Sequence, residues 1–491
     1  MSVYYLPELN HSEGKKYIIY GTGDVASQYC NQLRQRYGFD SVVCFLETNP
    51  TKSEFMNIMV IDSDRFSEYR NKQHKYIVTS FSSMKVMKDI LISKGVNEDQ
   101  IIEAVEPVAN LYIRKDIDMV NNILFYPDIK ENEKLLNLIT RIKWYIPEHS
   151  NSKTIIMIMT NISEVHVPGN VKVISDADFE KNLAVADLVL VWDKNFLTDS
   201  LIKRNKTKVY CVDQTFYSTA ESGIYRSIYF HCLEPSAQEY YYELSKQNYN
   251  SMYNINKEKN TANVFGTGPS LEEAYNFTFE GSFNIVCNSM VKNKKLLRHI
   301  KPDLLVFADP VFHFSPCEYS RRFREDVMDT IREFGCFCLI PDYTVPLILA
   351  HYPELEAKII GMPSKSSFNF PSNEEFYTRS SSNILTLYMI PVASAISDDI
   401  YVLGCDGRQK SETYFWKHND NTQYGDLMET AFRMHPSFFR DRVYQDYYDE
   451  HCEFLRDLIE YGEYLGKSYF SLTKSHIPVL HEREVENHIC R

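Results

Sequence analysis

Two glycine-rich turns limit what this chain can fold into. The stretches IIYGTGDVASQY (residues 18–29) and NVFGTGPSLEEA (residues 263–274) each lead from an apolar strand pattern through glycines into a helical pattern. That junction belongs at the carboxyl end of a strand, where glycine permits a tight turn and the amides of a helix start can meet an anion. Around both turns, short β-rich apolar runs alternate with helical segments. The expected fold class is therefore α/β, with parallel sheets joined by helical crossovers. At 491 residues the chain has material for two to four domains.

The pattern divides the chain into five stretches. Residues 1–120 (KKYIIYGTG, SVVCFLET, KYIVTSF) read as a Rossmann-like N-terminal domain, and 121–149 as a helical linker carrying NEKLLNLITRIKWYI. Residues 150–235 read as a second small α/β domain, with strands KTIIMIM, VKVIS, DLVLVWD and TKVYCVD and no recognisable motif. A tyrosine-rich helical linker (236–258) leads to the largest unit, 259–491, expected to be doubly wound. Its strands close on polar or acidic residues, as in VCN, FAD, IPD and GCD. In open α/β sheets the ligand lies at those carboxyl ends.

Composition removes several function classes. A net charge of -13 lacks the basic face that holds nucleic acid. No apolar run is long enough to span a membrane, and MSVYYLPELNHSEGKK is not built like a secretion signal, so the expected location is the cytoplasm. A peripheral place at the inner membrane face is compatible with this. The 11 cysteines are scattered without CxxC pairs, and no HExxH is present; they read as small buried hydrophobes, and no metal site is expected. Aromatic residues make up 14% of the chain, which suits either a core or a surface for stacking sugars.

In the first turn Gly21, Gly23 and Ala26, with Glu47 ending the next strand, form a short dinucleotide-type fingerprint. No residue set for hydride transfer accompanies it, so a structural or sugar-nucleotide-like role is preferred to NAD binding. This unit resembles the small N-terminal Rossmann domains of bacterial sugar-modifying acetyltransferases. In the second turn Gly266 and Gly268 precede Pro269, which presets a helical φ, and Ser270, a natural N-cap.

Taken in order, GTGPSL, VCNSM, VFADP, RSSSN, GCDGRQKSETY and a later histidine resemble the motifs of the bacterial family 42 sialyltransferases, and those of the motility-associated factor (Maf) flagellin glycosyltransferases. The resemblance covers the third unit. It implies a donor-nucleotide site at Gly266, Thr267, Gly268, Pro269, Ser270, Asn288, Ser289, Asp309, Arg379, Ser382, Asn383 and Asp406. It further implies Arg408 and Tyr414 beside the leaving phosphate and His435 as the base, with His451, His418 and His313 as alternatives. Thr267, Asp309, Asn383 and Arg408 depart from the sialyltransferase pattern.

The implied reaction is inverting transfer of a nonulosonic acid (sialic acid or a relative) from a CMP donor to a hydroxyl of a bacterial surface glycan or glycoprotein. No cofactor is required beyond the donor itself. Negative charge grows on the departing phosphate, so fixed hydrogen-bond donors aimed at it are the largest expected catalytic contribution, and the acceptor hydroxyl needs a base within reach. Two alternatives stay open. One is a diphosphate transfer from Mg-ATP, as in the pterin pyrophosphokinases, which would use carboxylates such as Asp309 and Asp406. The other is an accessory recognition role in glycan assembly, for which a homo-oligomer is compatible.

Overall fold

A computed structural model gives the fold and describes residues 2–7, 9, 16–117, 119–148, 153–162, 166–216, 220–408, 421–441 and 444–485. The architecture is mixed α/β with three main sheets, each parallel apart from one short edge pairing or wholly parallel. Among the described residues no helix is long and apolar enough to cross a membrane.

The first sheet runs in the order 54–55, 58–62, 42–47, 17–20, 75–78, 101–103. Its central strand Tyr17–Tyr20 is buried along its whole length because helices cover both faces, which is why its pattern is continuously apolar rather than alternating. The second sheet runs 2–3, 109–110, 209–211, 188–191, 122–129, 155–160, 171–174.

Two expected boundaries are corrected here. Asn122–Ile129 is not linker but a central strand of the second sheet, paired in parallel with both Leu188–Val191 and Ile155–Thr160. Pro127 within NILFYPDI argues against a central strand by pattern. It is accommodated because it lies where the register with the neighbouring strand shifts. The start of the chain also crosses the boundary: Ser2–Val3 pairs antiparallel with Ala109–Asn110 at the edge of the second sheet, not the first.

The third sheet has seven parallel strands: β1 (Thr261–Phe265), β2 (Phe283–Cys287), β3 (Leu304–Val306), β4 (Phe337–Pro341), β5 (Ile359–Met362), β6 (Asp399–Leu403) and β7 (Ser468–Ser471). Their spatial order is β5-β4-β3-β2-β1-β6-β7, so the direction of winding reverses between β1 and β6. Period-two alternation sends Val264, Ile285 and Leu339 into one core, and Phe265, Val286 and Ile340 into the core on the opposite face.

Helices α1 (Asn132–Tyr145), α2 (Ala220–His231) and α3 (Pro235–Asn256) tie the second sheet to the third. The stretch 236–258 is an integral part of the third unit. Asn248 on α3 donates to the carbonyls of Glu356 and Ile359, and Tyr249 donates its hydroxyl hydrogen to Pro371 O. On α1, Trp144 donates to Phe314 O at 2.6 Å, stacks on His351 with centroids 4.2 Å apart, and lies under the Arg324 guanidinium. Arg141 of α1 reaches Met434 O at 2.6 Å.

These contacts make the N-terminal half a structural support of the C-terminal half. A chain lacking residues 1–240 exposes the apolar face around Leu347 and removes the partners of Phe314 O, Met434 O and His351. It is expected to lose cooperative thermal unfolding and near-ultraviolet dichroism. A fragment melting as one sharp transition at the full-length temperature would contradict this.

Candidate functional site

A cavity of about 890 Å³ opens at the carboxyl ends of the third sheet, at the place where the strand order reverses. Geometry makes a crevice there, because the loops after β1 and β6 leave toward opposite faces. Its floor comes from the segments that follow β6, β1, β2, β3 and β4: Cys405, Thr267, Asn288, Asp309 and Asp342 in that order across the sheet. Ser380–Asn383 and a helix that starts with a π-helical turn, Leu385–Met389, continuing through Ile390–Ile396 (α4), form one wall. Arg226 from α2 and His451 from α5 (Tyr444–Tyr464) close other sides.

Of the residues expected from the sequence, the cavity brings together Gly266, Thr267, Asn288, Ser289, Asp309, Ser382 and Asn383. Asn288 has φ of 49°, a left-handed conformation that asparagine tolerates better than most side chains and that a β-branched residue would resist.

The glycines of the 266–270 turn have a different reason than expected. A Cβ on Gly266 would sit 2.5 Å from Gly404 O, and one on Gly268 would sit 1.9 Å from an Asp406 carboxylate oxygen. They are glycines because the turn after β6 packs against them. The amides follow suit: Gly266 N donates to Leu403 O and Gly268 N to Gly404 O, both at 2.8 Å, and Ser270 N donates to Asp406 Oδ1 at 3.1 Å. Pro269 has no N–H, so the expected cradle of backbone donors over 266–270 reduces to the Thr267 amide. Ser270 is not the helix cap: Gly268 precedes a 3₁₀ helix at Pro269–Asn276, and the Ser270 hydroxyl donates to Asp406.

Other expected residues stand apart from the cavity wall. His435 is 2% exposed and lies between the second and third units, where its Nδ1 meets Glu221 Oε2 at 2.8 Å. Glu221 is in turn ion-paired to Arg141. Burial pushes the Glu221 carboxyl up, but Arg141 and His435 beside it outweigh that and hold the carboxyl below its ordinary value. His435 thus belongs to a buried structural network. Arg408 is also buried, over the Tyr448 ring at 4.9 Å. Arg379 packs its guanidinium between Phe368 and Phe454, at 4.0 and 4.7 Å. Tyr414 and His418 lie outside the described residues. Asn383 caps the helix that follows, accepting from Leu385 N at 2.9 Å.

The acidic strand ends act mainly on backbone. Asp309 Oδ1 accepts from the amides of Val311 and Phe312, and Asp406 holds Ser270. Burial raises Asp406 above the usual carboxylate range. In the first unit, Glu47 is likewise engaged, accepting from the Thr22 hydroxyl. Gly21 has φ of 111° and no room for a Cβ beside Thr79, so only glycine fits there, whereas Gly23 is extended and unobstructed.

Among the described residues, two histidines line the cavity. His313 Nδ1 accepts from Asp309 N at 2.9 Å, and burial pushes its pKa down to about 4, so the neutral ring carries its proton on Nε2 and acts as a donor. His451 is 5% exposed, and its Nδ1 is buried with no partner. Burial lowers its pKa to about 4, leaving a neutral imidazole near pH 7. Its helix is seated on the 404–408 loop, for Tyr448, one turn earlier, holds its hydroxyl 3.2 Å from Arg408 N.

Sequence reasoning missed Arg226 and Asp342. Arg226 comes from a helix in the unit that carried no motif. Asp342 was visible as the acidic strand end IPD, though without a partner to single it out. Burial lifts its pKa to about 6 despite the opposing pull of Arg226. Comparison with protein-family models, with curated proteins and with solved structures finds no match to this chain.

A raised carboxyl pKa stabilises the fold most when the group is protonated. Asp342 therefore contributes fully below its unfolded value near 4, and the contribution is lost as pH rises through 6. Asp342→Asn is expected to match the wild type in stability at pH 4 and to exceed it at pH 8 by on the order of 2 kcal/mol. Denaturant melts across that range test this; a difference independent of pH would contradict it.

Proposed function

We propose that this chain is an inverting glycosyltransferase that takes a nonulosonic acid from a CMP donor, with His451 as the base. The observation that carries the reading is one cavity holding most of the expected donor-binding positions together with a neutral, unpartnered imidazole. Its size suits a nucleotide sugar, since small-molecule sites commonly span about 300–1,000 Å³.

In this reading the acceptor oxygen attacks the anomeric carbon as the bond to the CMP phosphate breaks. The phosphate oxygen leaves with the electron pair, and the acceptor proton moves to His451. Negative charge growing on the phosphate meets the Thr267 amide and the Asn288 and Ser382 side chains. Donors held in place need no reorganisation when the charge appears. A bound phosphate also favours the charged imidazole, so it raises the His451 pKa from about 4 toward the operating pH. The base gains strength only once the donor is in place.

His451 replaces His435 because a base must reach the reacting oxygen, and His451 lines the cavity whereas His435 does not. The departing phosphate is likewise assigned to groups on the cavity wall, where Arg408 is not found.

Purified chain incubated with CMP-sialic acid and related donors is expected to release CMP. His451→Ala should lower that rate by about 100-fold or more, the usual weight of a positioned acid or base. His435→Ala should lower the melting temperature, with a smaller effect on the rate of the molecules still folded. No CMP release above background from any such donor removes the reading. A His435→Ala loss equal to that of His451→Ala, at unchanged folded fraction, returns the base to His435.

A further inference from the structure

Arg226 is the feature of this cavity that donor chemistry leaves unused. It projects from α2 of the second unit to the ends of β3 and β4, donating from Nη1 to Ala308 O at 2.9 Å and from Nη2 to the Tyr343 hydroxyl. The residue is 9% exposed, and its Nε is buried without a partner. Its hydrogen-bond partners are an uncharged carbonyl and a phenol, and it forms no ion pair with a described carboxylate. The ring of Tyr343 lies 4.8 Å from the guanidinium carbon and that of Phe314 5.5 Å. The Asp342 carboxyl acts on the guanidinium electrostatically without reaching ion-pair distance; burying a guanidinium with no carboxylate in contact is costly, and such groups are ordinarily paired. Lys115 adds a second cation on the cavity wall, at an exposed position.

Place in the sheet decides which anion fits. The Thr267 turn follows β1, whereas Arg226 stands at the ends of β3 and β4, two to three strands away. At about 4.8 Å per strand that is roughly 10–14 Å. The carboxylate of a nonulosonic acid is bonded to the same carbon that carries the leaving phosphate, so it stays beside that phosphate and does not extend to Arg226. We propose that Arg226, with Lys115 at the exposed side, is an oxyanion subsite for the acceptor, and that the acceptor is an acidic molecule carrying a carboxylate or phosphate. The second unit, which has no motif of its own, then sets acceptor specificity through one guanidinium.

The assignment to the acceptor rests on the donor reading above; the preference of the subsite for an anion does not. The test is calorimetric binding to the full chain, with and without saturating CMP, using matched anionic and neutral probes. Methyl glucuronide against methyl glucoside reports a carboxylate, and glucose 6-phosphate against glucose reports a phosphate. The anionic member of at least one pair is expected to bind about 10- to 100-fold more tightly, the range of a charge-assisted hydrogen bond. The pair showing the preference identifies the source of the oxyanion. Arg226→Gln should erase the preference while leaving CMP affinity within about twofold, and Arg226→Lys should restore part of it because the charge is kept. Circular dichroism checks that both variants are folded.

Absence of an anion preference in the wild type, or its survival in Arg226→Gln, overturns the subsite. If the preference is present and depends on Arg226, but CMP neither binds nor is released from CMP-sialic acid, the donor reading falls and the oxyanion subsite stands.

Discussion

The site depends on the contact between two turns, the one after β1 and the one after β6. Gly266 and Gly268 have no side chains because the Gly404 carbonyl and the Asp406 carboxylate occupy that space. Three peptide amides of the first turn are consumed in holding the second. This close approach fixes the edge of the crevice at the point where strand order reverses, and it seats the long helix α5 through the 404–408 loop and Tyr448. The position of His451 follows from that seating.

The second constraint is the joining of the middle and C-terminal units. The network Arg141–Glu221–His435 is almost wholly withdrawn from water, and Trp144 is clasped between His351 and Arg324. The buried charges of Arg141 and Glu221 are tolerated because each meets the other, and they fix one geometry because any slip strands a charge. The same joint carries Arg226 into the cavity. A helix that would otherwise be scaffold thereby supplies a buried cation at the β3 and β4 ends.

Legibility differed with the range of the interaction involved. Alternating strands and helices, the two glycine turns and the polar ends of the strands are local patterns, and they were readable from the residues between 259 and 406. The central strand 122–129 was not, since Pro127 speaks against a strand locally and only its neighbours reveal that it stands at a register shift. Among the cavity residues, Thr267, Asn288, Asp309, Ser382 and Asn383 could be singled out by their order along the chain, and they converge on one cavity. Arg226 had no such signal, because nothing in IYRSIYF distinguishes a site arginine from a surface one.

By itself, then, the sequence determined the α/β class, the succession of parallel strands in the third unit and the loops that gather at their carboxyl ends, because these follow from hydrophobic period and turn chemistry within a few residues. Only the tertiary structure decided what the glycines are for, which histidines reach the cavity and where its buried arginine comes from. Those outcomes depend on contacts such as Gly268 with Asp406, His435 with Glu221 and Arg226 with Ala308, between residues 82 to 214 positions apart. No local pattern encodes a partner at that distance; the packing of whole helices and sheets selects it.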